Sequence, residues 1–440
     1  MCGICGFAGK VNNSRDVLKT MMDKIAHRGP DDEGMYVDKH AAIGHRRLSI
    51  IDLEDGQQPM ESADGNLHIV FNGEIYDYKE LRAELEAFGI SFCTHSDTEV
   101  LVNTIQQYGE KALDKLRGMF GFAVWNEQEQ SLMLARDFFG IKPVYYAEID
   151  GHFVFASEIK SILVFPGYER KVNQMALEQY LSFQYSPLEE TFFKGIYKLM
   201  PGHMLLYKNG SYEIKTYFKP KLTPGQWNHK TNMAQLRSQL SEILKDSVKH
   251  HMLSDVEVGA FLSGGVDSGY LASSSGADQA FTVGFDEGDR YSEVNKAAKV
   301  AEKAGLKHHV KIISKQEFWD ALPDVMYHMD EPLGDASAVA LYFLSKEAAG
   351  HVKVVLSGEG ADELFGGYNI YREPESLKKI AWIPFGVRRV IGKLAAKLPD
   401  VKGRDFLIRA GMNVEERFIG NAYIYREKEK AQILKNKVTG

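Results

Sequence analysis

Ser263-Gly264-Gly265-Val266-Asp267-Ser268, placed after the apolar run 256–262 and at the start of a helical pattern, decides the fold of this chain. A strand that stops at two glycines and restarts as a helix presents bare backbone N–H groups at a helix N-terminus, a natural seat for an anion. The glycines let the main chain approach a phosphate, the hydroxyls of Ser263 and Ser268 can donate, and Asp267 can hold a hard cation against a polyphosphate. A pair of glycines also serves where the chain needs only a tight turn. A second loop of the same kind favours nucleotide chemistry: residues 352–356 are strand-like and lead into Ser357-Gly358-Glu359-Gly360-Ala361-Asp362-Glu363-Leu364-Phe365-Gly366-Gly367-Tyr368. Two such loops are expected side by side at one edge of a parallel sheet, where doubly wound folds bind ligands. No P-loop competes, because the nearest approach, Gly386 to Lys393, has one residue too many between its glycines and Leu394 where a hydroxyl belongs.

Outward from this stretch the chain alternates. Strand-like runs at 256–262, 281–285, 308–313 and 352–356 take turns with helical patterns at 266–275, 292–305 and 336–349. That rhythm predicts an α/β domain, a parallel sheet covered by helices on both faces. Met233, Leu236, Leu240, Ile243, Leu244 and Val248 recur at helical spacing, so the domain is expected to open on an amphipathic helix. Residues 219–230 are polar and carry two prolines, which predicts a linker over 218–230 between a first domain at 2–217 and a second at 231–440.

The first domain reads as α+β. Strand-like runs at 67–71, 119–125, 131–136, 144–147 and 152–156 are separated by turn residues, with an alternating segment at 204–217 and helical spacing at 79–88, 97–108 and 173–183. Antiparallel sheets with a few helices follow. His45-Arg46-Arg47-Leu48-Ser49-Ile50-Ile51-Asp52 reads as a strand with basic residues at its start. Asn72-Gly73-Glu74 breaks an apolar run, and Asn-Gly is the strongest short hairpin signal. The same pair, an amide beside a glycine N–H, could instead form an oxyanion hole for acyl transfer.

Cys2 and Cys5 form a C-x-x-C, but Cys93 is the only other cysteine, so no second pair completes a structural zinc site. Cys5 and Cys93 read as small buried residues. Cys2 stands apart because of its position. Removal of Met1 would put a thiol and a free α-amine on one residue, and an α-amine titrating near ~7.7–8.0 can take the thiol proton at neutral pH.

Composition bounds the classes that remain. At 440 residues with 44% hydrophobic content the chain has material for two packed domains. The 53 basic and 60 acidic residues are well mixed and sum to −7, which leaves no basic stripe for nucleic acid. No apolar run reaches the roughly 18 residues that span a bilayer. Met1-Cys2-Gly3-Ile4-Cys5-Gly6 lacks the basic and apolar regions of a secretory signal, and three cysteines without a pairing framework suit a reducing compartment; cytoplasmic residence is the expectation.

Taken together, Met-Cys-Gly-Ile at the start, His27-Arg28-Gly29-Pro30-Asp31, Arg47-Leu48-Ser49-Ile50-Ile51-Asp52, Asn72-Gly73-Glu74-Ile75-Tyr76 and Ser96-Asp97-Thr98-Glu99 resemble the class II glutamine amidotransferase domain. With the two glycine-rich loops behind them, the chain resembles the glutamine-hydrolysing asparagine synthetases of the B type. The resemblance implies an Ntn-hydrolase-type sandwich followed by an adenylating domain of the ATP-pyrophosphatase type. It implies Cys2 as nucleophile of a γ-glutamyl thioester, with the Asn72 side chain and Gly73 N–H holding the oxyanion. Arg47 would bind the α-carboxylate of glutamine, Asp97 with Glu74 its α-ammonium, and Leu48, Ser49, Ile50 and Ile51 would line the pocket. ATP would meet Leu262, Ser263, Gly264, Gly265, Asp267, Ser268, Val283, Ser357 and Gly358, with Mg2+ on Asp267 and Asp362. Glu359 would act as acid or base when ammonia attacks aspartyl-AMP.

That chemistry accounts for a two-domain plan. A carboxylate is a poor electrophile, so ATP must first activate aspartate, and ammonia must reach the adenylate unprotonated, which favours delivery through the protein interior. The partners implied are glutamine, aspartate and ATP, with no nucleic acid or membrane, and a homodimer is the family's common assembly. The family also carries a later Ser-x-Glu-x-Arg-x-Pro helix and a lysine that are not found before Gly440. On that reading the amidotransferase half is complete and the synthetase half is C-terminally incomplete. The rivals are a glutaminase or regulatory glutamine-binding module, and a relative that amidates another carboxylic acid.

Overall fold

Among the described residues, twelve strands precede the parallel domain: β1 (Gly3–Ala8), β2 (Asp32–Val37), β3 (Ala41–Arg47), β4 (Met60–Glu61), β5 (Leu67–Ile75), β6 (Gly118–Asn126), β7 (Ser131–Arg136), β8 (Tyr145–Ile149), β9 (His152–Ala156), β10 (Ile196–Lys198), β11 (His203–Lys208) and β12 (Ser211–Thr216). In this computed structural model, residues 1–221, 232–286, 293–399, 401–418, 424–425 and 427–434 are described. The strands form two six-stranded antiparallel sheets, ordered β10-β8-β9-β1-β3-β2 and β12-β11-β7-β6-β5-β4. Side chains that alternate along each strand explain why the runs look continuously apolar. Ile4, Ile43, Val70, Ala123, Trp125 and Leu134 meet between the sheets. From the other face of the second sheet, Ile69, Phe71, Phe122 and Val124 pack against helices α2 (Tyr78–Ala87) and α3 (Asp97–Tyr108). Cys5, Phe7 and Val154 do the same beneath α1 (Ser14–Lys24) and α4 (Ile159–Ile162). The result is a four-layer sandwich, helix–sheet–sheet–helix.

The expected starts of several elements shift by a residue or two, and three readings are corrected. Asn72 and Gly73 are not a hairpin turn: β5 runs through them to Ile75, paired with β6 over its whole length. The basic residues at 45–47 end strand β3 rather than start one, and Leu48 onward is loop. Cys93 is exposed, in the loop before α3, and only Cys5 is the small buried residue foreseen. Residues 204–217 form a hairpin, β11 and β12, joined at Asn209 and Gly210, both with positive φ as that two-residue turn requires.

After helices α5 (Gln174–Phe183) and α6 (Met233–His251) come β13 (Val258–Phe261), α7 (Val266–Ser274), β14 (Gln279–Phe285), α8 (Val294–Ala304), β15 (Lys307–Ile313), α9 (Lys315–Met329), α10 (Ser337–Ala349) and β16 (Val354–Leu356). The four strands are parallel in the order β15-β14-β13-β16. The order reverses at β13, which turns one way to β14 and has β16 on its other side. Alanines carry the face toward α7 and α8, where Ala260, Ala272, Ala280, Ala297 and Ala301 meet, and Phe281 packs on Ala348 of α10 from the opposite face. Both faces are therefore covered.

The chain divides into two compact units. Met1–Asn173, Leu188–Glu331 and Ser337–Ser357 make the first; Gln174–Pro187, Pro332–Ala336 and Gly358–Gly440 make the second. The second holds α5 and the short helices from Ala361–Phe365 to Glu427–Ile433. Most of the expected linker, 222–230, and residue 292 at the start of one expected helix lie outside the described residues. Among the described residues no helix is long and apolar enough to cross a membrane.

Candidate active site

Cys2 precedes β1 and is held at both of its ends. Its carbonyl accepts from Arg28 Nε at 2.9 Å, while its Sγ lies 3.4 Å from the N–H and 3.7 Å from the carbonyl of Leu48. Arg28 is fixed in turn by Glu158, with Nη1 to Oε1 at 2.9 Å, and His27 meets the same oxygen at 3.1 Å. Lys160 takes the other oxygen of Glu158 and reaches Asp330 at 2.9 Å. Burial alone would raise the Glu158 carboxyl, but His27, Arg28 and Lys160 bring it down to about 2. This cationic cluster was not read from the sequence, because Glu158 is 130 residues from Arg28 and only the fold joins them.

Strand β5 supplies the other wall. In an antiparallel ladder alternate residues turn their N–H groups away from the partner strand. Phe71 N–H goes to Gln58 Oε1 at 2.7 Å and Ile75 N–H to Asp97 Oδ2 at 3.0 Å, both away from β6. Gly73, between them in the same parity, turns its N–H the same way. A Cβ at Gly73 would stand 2.2 Å from the Met119 carbonyl and 2.6 Å from the Phe71 ring, so only glycine fits. The neighbouring Asn72 is buried, and its Nδ2 has no hydrogen-bond partner among the described residues. A buried amide left without an acceptor costs free energy unless a ligand supplies one.

Two carboxylates close this end. Asp97 is buried at the first turn of α3, capped by Ser96 as expected, and burial pushes its carboxyl up to about 6. Burial first and Asp97 second hold Glu74 well above the usual carboxylate range, against the pull of Lys142. A pair of carboxyls that burial makes reluctant to ionise gains from a bound cation. Lys142 is itself buried, its ammonium depressed by burial and raised by Glu74, and it too was missed; a lysine in the turn Gly140-Ile141-Lys142-Pro143 gives no sign that it folds inward. The α-ammonium in this structure belongs to Met1, which burial, with Lys142 and Arg28 nearby, lowers to about 5.

Arg47 is buried and spends its guanidinium on the loop that follows it. Nη1 reaches Leu53 O at 3.4 Å, Nη2 reaches Ile51 O at 3.3 Å, and Nη2 also donates to Asp52 O. The arginine therefore shapes residues 48–53, whose Ser49 N–H is held by Asp31 Oδ2 at 2.9 Å.

At the carboxyl end of β13, Gly264 takes φ 76°, and a Cβ there would meet Lys296 Cβ at 2.7 Å and Ala297 N at 2.9 Å. Gly265 N-caps α7 with no side-chain hydrogen bond, so the first N–H groups of the helix are open. Ser263 Oγ and Ser268 Oγ are 2.9 Å apart across this loop, and Gly265 N–H donates to Ser263 Oγ at 3.3 Å. Asp267 is exposed in the first turn of α7. Leu262 is buried, its carbonyl taken by Thr282 Oγ1 at 2.6 Å, and Val283 follows on β14. Ser357 follows β16, the strand beside β13. The strand order thus gathers Leu262, Ser263, Gly264, Gly265, Asp267, Ser268, Val283 and Ser357 around the switch point of one sheet. Gly358, Glu359 and Asp362 belong to the second unit, where Asp362 sits in the helix Ala361–Phe365 and its carbonyl accepts from Gly367 N–H at 2.9 Å.

Residues 1–218 match the glutamine amidotransferase domain and residues 239–433 match asparagine synthase. Asparagine synthetase [glutamine-hydrolyzing] 1 of Bacillus subtilis is 44% identical over 98% of this chain and 70% of its own length. The chain belongs to the glutamine-hydrolysing asparagine synthetases. A further member, a putative asparagine synthetase [glutamine-hydrolyzing] of Mycobacterium bovis, is 38% identical over 99% of this chain and 71% of its own. Among solved structures, the glutamine phosphoribosylpyrophosphate amidotransferase from B. subtilis complexed with ADP and GMP covers 70% of this chain and 65% of that one, at 19% identity and a TM-score of 0.38. Family membership brings a glutamine-dependent and an ATP-dependent half onto one chain, in the order in which the sandwich and the parallel sheet occur.

Proposed function

We propose that the chain makes asparagine from aspartate, ATP and glutamine, with residues 2–217 releasing ammonia and residues 231–440 contributing the ATP-dependent step. Once Met1 is removed, the α-amine of Cys2 takes the thiol proton and Sγ attacks the glutamine carboxamide carbon. The oxyanion is held by Asn72 Nδ2 and Gly73 N–H, ammonia leaves, and water hydrolyses the thioester to glutamate. Asp97 and Glu74 accept the α-ammonium of glutamine; Arg47 binds its α-carboxylate, and Leu48, Ser49, Ile50 and Ile51 line the pocket. The observation that carries this reading is the buried Asn72 amide without an acceptor among the described residues, next to the Gly73 N–H, which turns away from β6.

In the second half, the open N-terminus of α7 with Ser263, Gly264, Gly265 and Ser268 receives the phosphates that depart as pyrophosphate, and Leu262, Val283, Ser357 and Gly358 contact the nucleoside. The carboxylate oxygens of Asp267 and Asp362 are hard donors that suit Mg2+, which would offset phosphate charge during adenylation. Glu359 exchanges a proton with the attacking ammonia.

The test is a product balance. Purified chain is given glutamine with and without aspartate, ATP and Mg2+, and glutamate, ammonia, asparagine, AMP and pyrophosphate are measured. Asparagine formed with equal AMP and pyrophosphate supports the whole reading. Glutamate and ammonia alone confine it to the first half. Hydrolysis that persists in Cys2→Ala overturns the nucleophile.

A further inference from the structure

The amino-terminal half of strand β15 lies away from the loops at the carboxyl ends of the sheet, and it carries a cluster that asparagine synthesis leaves unused. His309 is on β15, Glu347 is in the last turn of α10, and His351 follows that helix by two residues. One ligand atom from each of the three lies within 4.8 Å of the others. The rings of His309 and His351 are 4.1 Å apart between centroids, and Glu347 Oε1 is 3.7 Å from His351 Nε2. Two imidazoles and a carboxylate are the donor set that zinc-like ions take, with a fourth position left for water.

The surroundings prepare His309 for that role. Gln279 Nε2 donates to Glu257 Oε1 at 2.7 Å, which turns Gln279 Oε1 toward His309 Nε2 at 2.8 Å. An amide oxygen can only accept, so Nε2 carries the proton and Nδ1 keeps its lone pair. The ring is seated on Phe281, stacked with centroids 5.0 Å apart and planes 16° apart. Ligand atoms around a tetrahedral ion with bonds of ~2.0–2.1 Å stand about 3.3 Å apart, a closure within reach of the exposed His351 side chain.

We propose that His309, Glu347 and His351 bind a divalent transition-metal ion of the zinc type, which clips the end of α10 to the edge strand β15. The ion would act on stability, since the cluster lies toward the end of the sheet opposite the Ser263–Ser268 loop. The full chain, stripped with a chelator, is titrated with Zn2+ by calorimetry and with Co2+ by visible absorption, beside His351→Ala, Glu347→Gln and Gln279→Ala. Glutamine hydrolysis serves as the check that each variant is folded. The wild type should take up one more equivalent of Zn2+ than His351→Ala or Glu347→Gln and show the absorption of tetrahedral Co2+. Gln279→Ala should bind about tenfold more weakly, the usual cost of losing a group that orients a ligand. Zn2+ should raise the thermal midpoint of the wild type, and less so of Gln279→Ala, but not of His351→Ala or Glu347→Gln. Equal stoichiometry and equal midpoint shifts in the wild type, His351→Ala and Glu347→Gln would overturn the assignment.

Discussion

At the scale of single residues, the groups placed around Cys2 are costly to the fold, and the cost gives each a distinct signature. Asn72 Nδ2 is buried without a partner, so Asn72→Ala removes an unsatisfied donor rather than a contact. Denaturation should show stability unchanged or slightly raised, while kcat for glutamine hydrolysis falls about 10²–10³-fold, the scale of a lost oxyanion donor. A variant that instead unfolds readily with kcat preserved would make Asn72 a structural residue. Asp97 permits a pH test. Its carboxyl is raised by burial from an ordinary 3.8 to about 6, so its favourable contribution is full below about 3.8 and disappears as pH rises through about 6. Asp97→Asn stays neutral throughout. Urea unfolding should find the variant gaining on the wild type between those values, reaching about 3 kcal/mol at pH 7.5, and the glutamine KM should rise sharply at the same pH. A stability difference that does not depend on pH would mean that Asp97 titrates in the folded chain as it does in the unfolded one.

The elements show which parts of the sequence were legible. Strand–glycine–helix at 256–275 was readable because a local rule, the open N-terminus of α7, needs no distant partner. The βαβ rhythm likewise announced the parallel sheet. Asn72-Gly73 misled for the opposite reason: a dipeptide with strong turn preference lies mid-strand because the sheet on either side overrides it, and the glycine is required by the Met119 carbonyl rather than by a turn. Glu158 and Lys142 left no local trace, since what buries them comes from elsewhere in the chain, and Arg28 stood in a legible motif without its partner Glu158. Gly264 offers the test at this scale. Gly264→Ala forces a Cβ to within 2.9 Å of the α8 backbone at a φ that side chains avoid. The variant should lose about 2 kcal/mol, typical of overpacking and local strain. It should abolish asparagine formation while glutamine hydrolysis by Cys2 continues. Loss of both activities together in a folded variant would show that the loop serves the sandwich as well.

At the scale of the whole molecule, the question is how glutamine hydrolysis is kept in step with adenylation. The first unit holds both the sandwich and the parallel sheet, and the loop beside Cys2 is tied directly to the strand that leads to Ser263. Asp255, three residues ahead of β13, accepts from Asp52 N–H at 2.8 Å and donates its own N–H to Ile50 O at 3.0 Å. The same loop is braced at Ser49 by Asp31, whose carboxylate also meets Lys353 just ahead of β16 at 2.6 Å. Both strands at the switch point are therefore preceded by residues bonded to the 48–52 loop or its support. A shift of β13 or β16 when the nucleotide loop fills would be transmitted to residues 48–52 by these bonds, and the coupling free energy acts in both directions. Exposed hydrogen bonds of this kind hold only about 1 kcal/mol each, so cutting one should loosen the coupling without unfolding the chain. Asp255→Ala is the cut to make, because Asp52 N–H then loses its acceptor while the hydrogen bonds of Cys2 and Asp97 are left in place. Glutamate and asparagine are measured together at saturating glutamine, with ATP and aspartate present and then omitted. The expected outcome is a ratio of glutamate to asparagine about two- to tenfold above that of the wild type, with glutamine hydrolysis no longer responding to ATP and aspartate, as a coupling of about 1 kcal/mol predicts. An unchanged ratio would place the coupling elsewhere and leave Asp255 as no more than a cap on the loop.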